Sequence, residues 1–241
     1  MSHFVLIHGG CHTGGCWDEV ARRLAARGSK VDAPTLPGHG REAFAAGQAA
    51  TLTDGIAAVT EILRTAAEPV VLVGHSLGGM AISGAAEAAP DRVRRLVYVS
   101  ALYPRDGECA NDAFARPEFA EASAGSSVID ASGEWVSVKP EAARTLFYDD
   151  CDDAVATAAI AALGPTHVGY MSTPVRLSEA RYGRPPKLYV SCLRDAAIPL
   201  AMQRALIAGH PGTTVRELDC GHSPFLSRPD ALADVLAAAG V

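Results

Sequence analysis

No run of 18 consecutive apolar residues occurs in this 241-residue chain, so no membrane-spanning helix is expected. The amino terminus lacks the basic segment and long apolar core of a secretory signal, because Met1-Ser2-His3-Phe4 passes directly into a short apolar stretch. No C-x-x-C pair occurs among the six cysteines (Cys11, Cys16, Cys109, Cys151, Cys192, Cys220). That argues against a disulfide scaffold or zinc site and for reduced thiols in a cytoplasm. His8 and His12 are four residues apart but lie in a Gly-Gly loop rather than on one face of a helix, so no metal site is expected. There is no long Lys/Arg run and no basic-aromatic patch, and the formal net charge is −6. Nucleic acid is therefore not an expected partner. Arg22-Arg23 and Arg94-Arg95 read as solvated faces and strand flanks. Internal repeats and low-complexity linkers are absent too.

What is present suits one α/β domain with an insertion. Hydrophobic residues make up 49% of the chain, enough for a sizeable core. Phe4–His8 and Val70–Val73 are nearly continuous apolar runs, the signature of strands buried on both faces, and Val93–Ser100 reads as a further strand. Lys30–Ala33, Lys187–Ser191 and Thr213–Leu218 complete a set of about six strands. Helical patterns lie between them: Trp17–Arg27, stopped by Gly28; one marked by Ile56, Val59, Ile62 and Leu63; Leu77–Ala89, stopped by Pro90; Leu200–Ala208; and Pro229–Ala239. This alternation predicts a mostly parallel twisted sheet flanked by helices. Residues 104–184 break the rhythm, with a hairpin turning near Ser132-Gly133 and helices near Glu141–Tyr148 and Asp152–Leu163. The expected organisation is a core of residues 1–103 and 185–241, with 104–184 inserted as a cap over the carboxyl ends of the strands, where such sheets bind ligands.

Gly74-His75-Ser76-Leu77-Gly78 matches G-x-S-x-G at a strand-to-helix turn. The turn strains the backbone of the central serine and demands small neighbours, which the two glycines supply. A serine hydroxyl is a poor nucleophile unless a base takes its proton and an acid orients that base. His222 and Asp195 each follow a predicted strand, in the chain order serine, acid, histidine. Asp106 and Asp219 are the alternative acids. The Leu77 N–H, at a helix start, and the Gly10 N–H, in His8-Gly9-Gly10, are the expected oxyanion donors. Gly9, His12, Trp135, Phe147 and Tyr170 are candidate substrate contacts, among cap aromatics that also include Phe114, Phe119 and Tyr148. His75 is expected to pack and His39 to sit in a loop.

The segments Phe4–Trp17, Val73–Met80 and Gly221–Phe225 resemble the methylesterase and hydroxynitrile lyase branch of the α/β-hydrolases, and the likeness fades across residues 104–184. The lyases of that branch carry a threonine where Gly9 stands and a lysine where Ser223 stands. Without the lysine, cyanide's charge has no holder. The resemblance thus implies a cofactor-free esterase with the triad Ser76–Asp195–His222, and a tendency to dimerise. The expected activity is cleavage of a small or medium apolar or aromatic ester, lactone or thioester through an acyl-enzyme. Two rival readings are a small-molecule receptor with vestigial turnover and lyase or rearrangement chemistry on the same fold. Epoxide hydrolysis and dehalogenation of the usual kind need a carboxylate where Ser76 stands.

Overall fold

The computed structural model describes residues 2–240, Glu118 by its backbone alone. Six strands pair in parallel in the order β2-β1-β3-β4-β8-β9. They are β1 (His3–Ile7), β2 (Lys30–Asp32), β3 (Val70–Ser76), β4 (Val93–Ala101), β8 (Lys187–Cys192) and β9 (Thr214–Leu218). Strand alternation assigns side chains to two cores. Phe4 and Leu6 face Trp17, Val20 and Leu24 and the carboxyl-terminal helix Pro229–Ala239. Val5 and Ile7 face the opposite side, where Val59, Met80 and Ile82 come from helices Leu52–Thr65 and Gly78–Ala88. Those four β1 side chains are fully buried, and each stabilises the fold by roughly 1.5–3 kcal/mol relative to exposure. This is the α/β-hydrolase architecture that the sequence predicts.

Between β4 and β8 the chain leaves the sheet. Residues 104–184 carry a separate antiparallel sheet in the order β5-β6-β7, made of Ser127–Ile129, Trp135–Val138 and Thr166–His167. The β5–β6 hairpin turns through Asp130–Glu134, with Gly133 at φ 79° and the Asp130 carboxylate accepting the Trp135 N–H at 3.0 Å. Ala143, Tyr148, Cys151 and Ala156 form a small core of their own. Helices Pro140–Leu146 and Asp153–Ala162 fall where the apolar pattern predicts them. Strand β7 and the short helices Gly40–Ala45, Ala110–Phe114 and Pro117–Ala122 escape the sequence reading, because two to six residues do not establish a period. Among the described residues no helix is long and apolar enough to cross a membrane.

Candidate active site

The carboxyl ends of β1, β3, β4, β8 and β9 converge on one rim, and a cavity of about 590 Å³ opens there against residues 104–184. Ser76 ends β3 with φ at 51°, in the left-handed region that side chains avoid. That conformation survives because the flanks of the turn are closely packed. A Cβ on Gly78 would lie 2.5 Å from the His8 carbonyl oxygen, and one on Gly74 2.9 Å from that of Gly78. Glycine is therefore required at both flanks by close approach. The Ser76 carbonyl accepts the Leu102 N–H at 2.9 Å, which ties the turn to the end of β4.

His222 follows β9, and its Nδ1 donates to Asp195 Oδ2 at 2.7 Å. Both side chains are buried. Asp195 follows β8, and its Oδ1 accepts the N–H groups of Ala197 and Ile198, each at 2.7 Å. The engagement of Nδ1 leaves Nε2 as the ring nitrogen able to serve the cavity, which both His222 and Ser76 line. Asp106 instead accepts the Leu177 N–H, and Asp219 pairs with Arg194, so neither alternative acid reaches the imidazole. Phe147 stacks on the His222 ring with centroids 5.3 Å apart. His75 lies on another side of that ring, at 4.5 Å, and its Nε2 donates to the His222 carbonyl.

Gly10 and Leu77 both line the cavity beside Ser76. The loop carrying Gly10 turns at Cys11, whose φ is 61°. His12 Nδ1 donates to the Gly10 carbonyl at 2.8 Å, and the Tyr148 hydroxyl donates to His12 Nε2 at 2.8 Å. The neutral imidazole this demands is favoured by burial, which lowers the His12 pKa to about 4. His8 has the same character: Nδ1 donates to the Gly9 carbonyl, Nε2 accepts the Leu36 N–H, and burial holds its pKa well below the usual value.

Four of the five expected substrate contacts lie elsewhere. Gly9 is packed behind the nucleophile, where a Cβ would lie 2.7 Å from that of Ser76. His12 stays under the loop rather than lining the cavity. Trp135 packs edge-on against Phe44 and His167, while Val136 and Val138 of the same strand line the cavity, since side chains of β6 alternate. Tyr170 donates its hydroxyl to the Pro37 carbonyl and packs against His39, while its neighbour Met171 lines the cavity. Phe147 alone of the five lines it, with Phe114 and Phe119 adding aromatic wall. His39 is buried, not merely a loop residue. The sequence assigns neither Cys11 nor Thr166 a role in the site. The Cys11 N–H donates to Thr166 Oγ1 at 2.7 Å, and no composition signal marks either residue.

Among the described residues no group of three histidine, cysteine or acidic side chains is arranged to hold a metal. Apart from His222 and Cys11, the described lining contains no titratable side chain. Its polar members are Ser76 and neutral groups such as Asn111, Ser123 and Ser172.

Comparison with known proteins supports the fold. A pyrethroid hydrolase of Sphingobium wenxiniae is 30% identical over 98% of this chain and 87% of its own length. Methylesterase 7 of Arabidopsis thaliana is 29% identical over 97% of this chain and 94% of its own. The crystal structure of a pyrethroid hydrolase from Sphingobium faniae superposes with a TM-score of 0.89 at 28% identity, covering 98% of this chain and 96% of that one. The model of the alpha/beta hydrolase family matches residues 4–235, and the chain belongs to that family.

Proposed function

We propose that this protein hydrolyses neutral carboxylic esters of apolar or aromatic character through an acyl-enzyme on Ser76. His222 Nε2 takes the hydroxyl proton as Ser76 attacks the carbonyl, and Asp195 holds the ring in the required tautomer. The N–H groups of Gly10 and Leu77 bind the oxyanion, and losing one such donor costs about 2.7–4 kcal/mol of transition-state stabilisation. His222 then protonates the leaving alcohol and activates the water that releases the acid.

The single observation carrying this reading is the Asp195–His222 pair opening onto the same cavity as a strained serine. The named activities of the relatives, a methylesterase and a pyrethroid hydrolase, support ester cleavage. Residues 104–184 act as the cap, supplying Phe114, Phe119 and Phe147 as walls. A cavity of about 590 Å³ falls in the usual range for small-molecule sites. The absence of charge among its described lining residues favours uncharged acyl and alcohol groups, since an ionised group buried there would lack a partner. Ser223 is buried and does not line the cavity, so nothing there replaces the lysine that cyanohydrin cleavage requires.

The test is turnover of p-nitrophenyl acetate and longer neutral p-nitrophenyl esters by wild type and Ser76→Ala. We expect saturable hydrolysis in the wild type, a drop of at least about 10³-fold in Ser76→Ala, and poor turnover of an ester bearing a free carboxylate. Tight ligand binding with negligible wild-type turnover supports a receptor instead. Undiminished turnover in Ser76→Ala overturns the mechanism.

A further inference from the structure

We propose that Ser100 is a positioning residue for Asp195 and, through it, for His222; this rests on the triad reading above. Ser100 is fully buried and does not line the cavity, so it has no route to substrate. Its hydroxyl donates to Asp195 Oδ2, the oxygen that also accepts His222 Nδ1. With Ala197 and Ile198 on Oδ1, the carboxylate has four donors. A carboxylate offers about four lone-pair sites, so all are engaged and the group cannot rotate without losing a bond. Ser100 occupies the second site on Oδ2 and leaves the first directed at the imidazole.

The backbone is shaped to this end. The β3–β4 register passes from His75↔Val99 to Ser76↔Ala101, so Ser100 is the extra residue of a β-bulge. Bulges re-aim side chains, and this one sends a hydroxyl to the triad acid. Ser100 adopts φ 37° there, a conformation glycine takes at no steric cost. Glycine in its place would relieve the strain but supply no donor. The bulge is held from β8 by the Tyr189 hydroxyl, which accepts the Ala101 N–H at 3.0 Å. Ser76 and Ser100 thus share one deformation, which strains the nucleophile on one strand and locks the acid from the next.

The test compares wild type with Ser100→Ala, which keeps the strain and loses the donor, and Ser100→Gly, which loses both. The reporter is the low-field proton NMR resonance of the His222 Nδ1–H bond to Asp195, assigned by its loss in His222→Ala. We expect the same displacement of that resonance in both variants, because each removes one of two donors competing for Oδ2. With an ester substrate, kcat falls about tenfold in both, the scale of one charge-assisted hydrogen bond, and KM stays within about twofold. A resonance and kcat unmoved in both variants overturn the proposal. So does a glycine variant matching wild type while the alanine variant does not, since backbone strain would then be the whole effect. The resonance is read without substrate, so a wild type inert to esters would sink the ester reading while leaving this comparison intact.

Discussion

The nucleophile's posture depends on what stands behind it. Gly9 is close enough to Ser76 that a methyl group there would lie 2.7 Å from the serine Cβ and 3.2 Å from His75 Nδ1. Neither neighbour has room to yield: Ser76 is already at φ 51°, and the His75 ring is buried among His222, Trp17 and Phe225. Overpacking of this kind costs about 1–3 kcal/mol of stability. Because the relief falls on the reacting side chain, Gly9→Ala should lower kcat by roughly 100-fold, the penalty of a displacement near 1 Å. Kinetics and thermal unfolding of the variant check this, and near-wild-type kcat would show that the turn is more compliant than its packing implies. The sequence displayed Ser76, His222 and Asp195 because a glycine-flanked serine and two strand-end residues leave a pattern of spacing. It did not display Ser100 or Cys11. Both adopt positive φ without being glycine, and neither residue type signals that conformation.

Strands β1, β3, β4 and β8 were legible because burial on both faces makes continuous apolar runs. The excursion between β4 and β8 was legible only as a break in rhythm. Its strands of two to four residues could be found or missed, and their facing could not be fixed, since one step along a strand moves a side chain to the other face. The sequence accordingly places Trp135 at the cavity that its neighbour Val136 lines. What periodicity hides is how the insertion grips the loop after β1. The Cys11 N–H donates to Thr166 on β7, the Cys11 carbonyl accepts the Gly164 N–H at 3.0 Å, and Tyr148 bonds His12. With the Cys11 thiol donating to the Val136 carbonyl at 3.9 Å, four bonds join the insertion to the loop that carries Gly10. Thr166→Val keeps the shape and removes the acceptor, which strands a buried N–H and costs about 1–3 kcal/mol. Urea unfolding should report that loss, and kcat should fall severalfold as the Gly10 amide loses definition. A variant as stable and active as wild type would mean that the loop holds itself.

At the scale of the molecule, buried imidazoles gather in two sets around the active-site loops. His8 and His39 approach with centroids 4.8 Å apart, His12 and His75 at 6.0 Å, and His75 and His222 at 4.5 Å. Burial is the main cause that lowers the pKa of His8, His12, His39 and His75, to about 4 for His12 and His39 and well below the usual value for the other two. Neighbouring imidazoles oppose charging of each as well. Hydrogen bonding points the same way: the second ring nitrogen of His8 and of His12 already accepts a donor, and His75 Nδ1 is buried with no acceptor for a proton. In the unfolded chain each of the four takes a proton near pH 6.5. Between about pH 4 and 6.5 the unfolded state therefore binds more protons than the folded one, and stability falls as pH falls through that window. Each residue contributes a slope of up to about 1.4 kcal/mol per pH unit. Against a total of about 5–15 kcal/mol for a typical domain, four such slopes suffice for acid unfolding above pH 4, before most carboxylates are protonated. Urea midpoints measured at pH 7.5, 6 and 5 should therefore decline steeply across the last interval, and His39→Gln should flatten the decline by about one proton. Midpoints that hold level down to pH 5 would mean that these rings accept protons in place, and that their surroundings are wetter than their burial indicates.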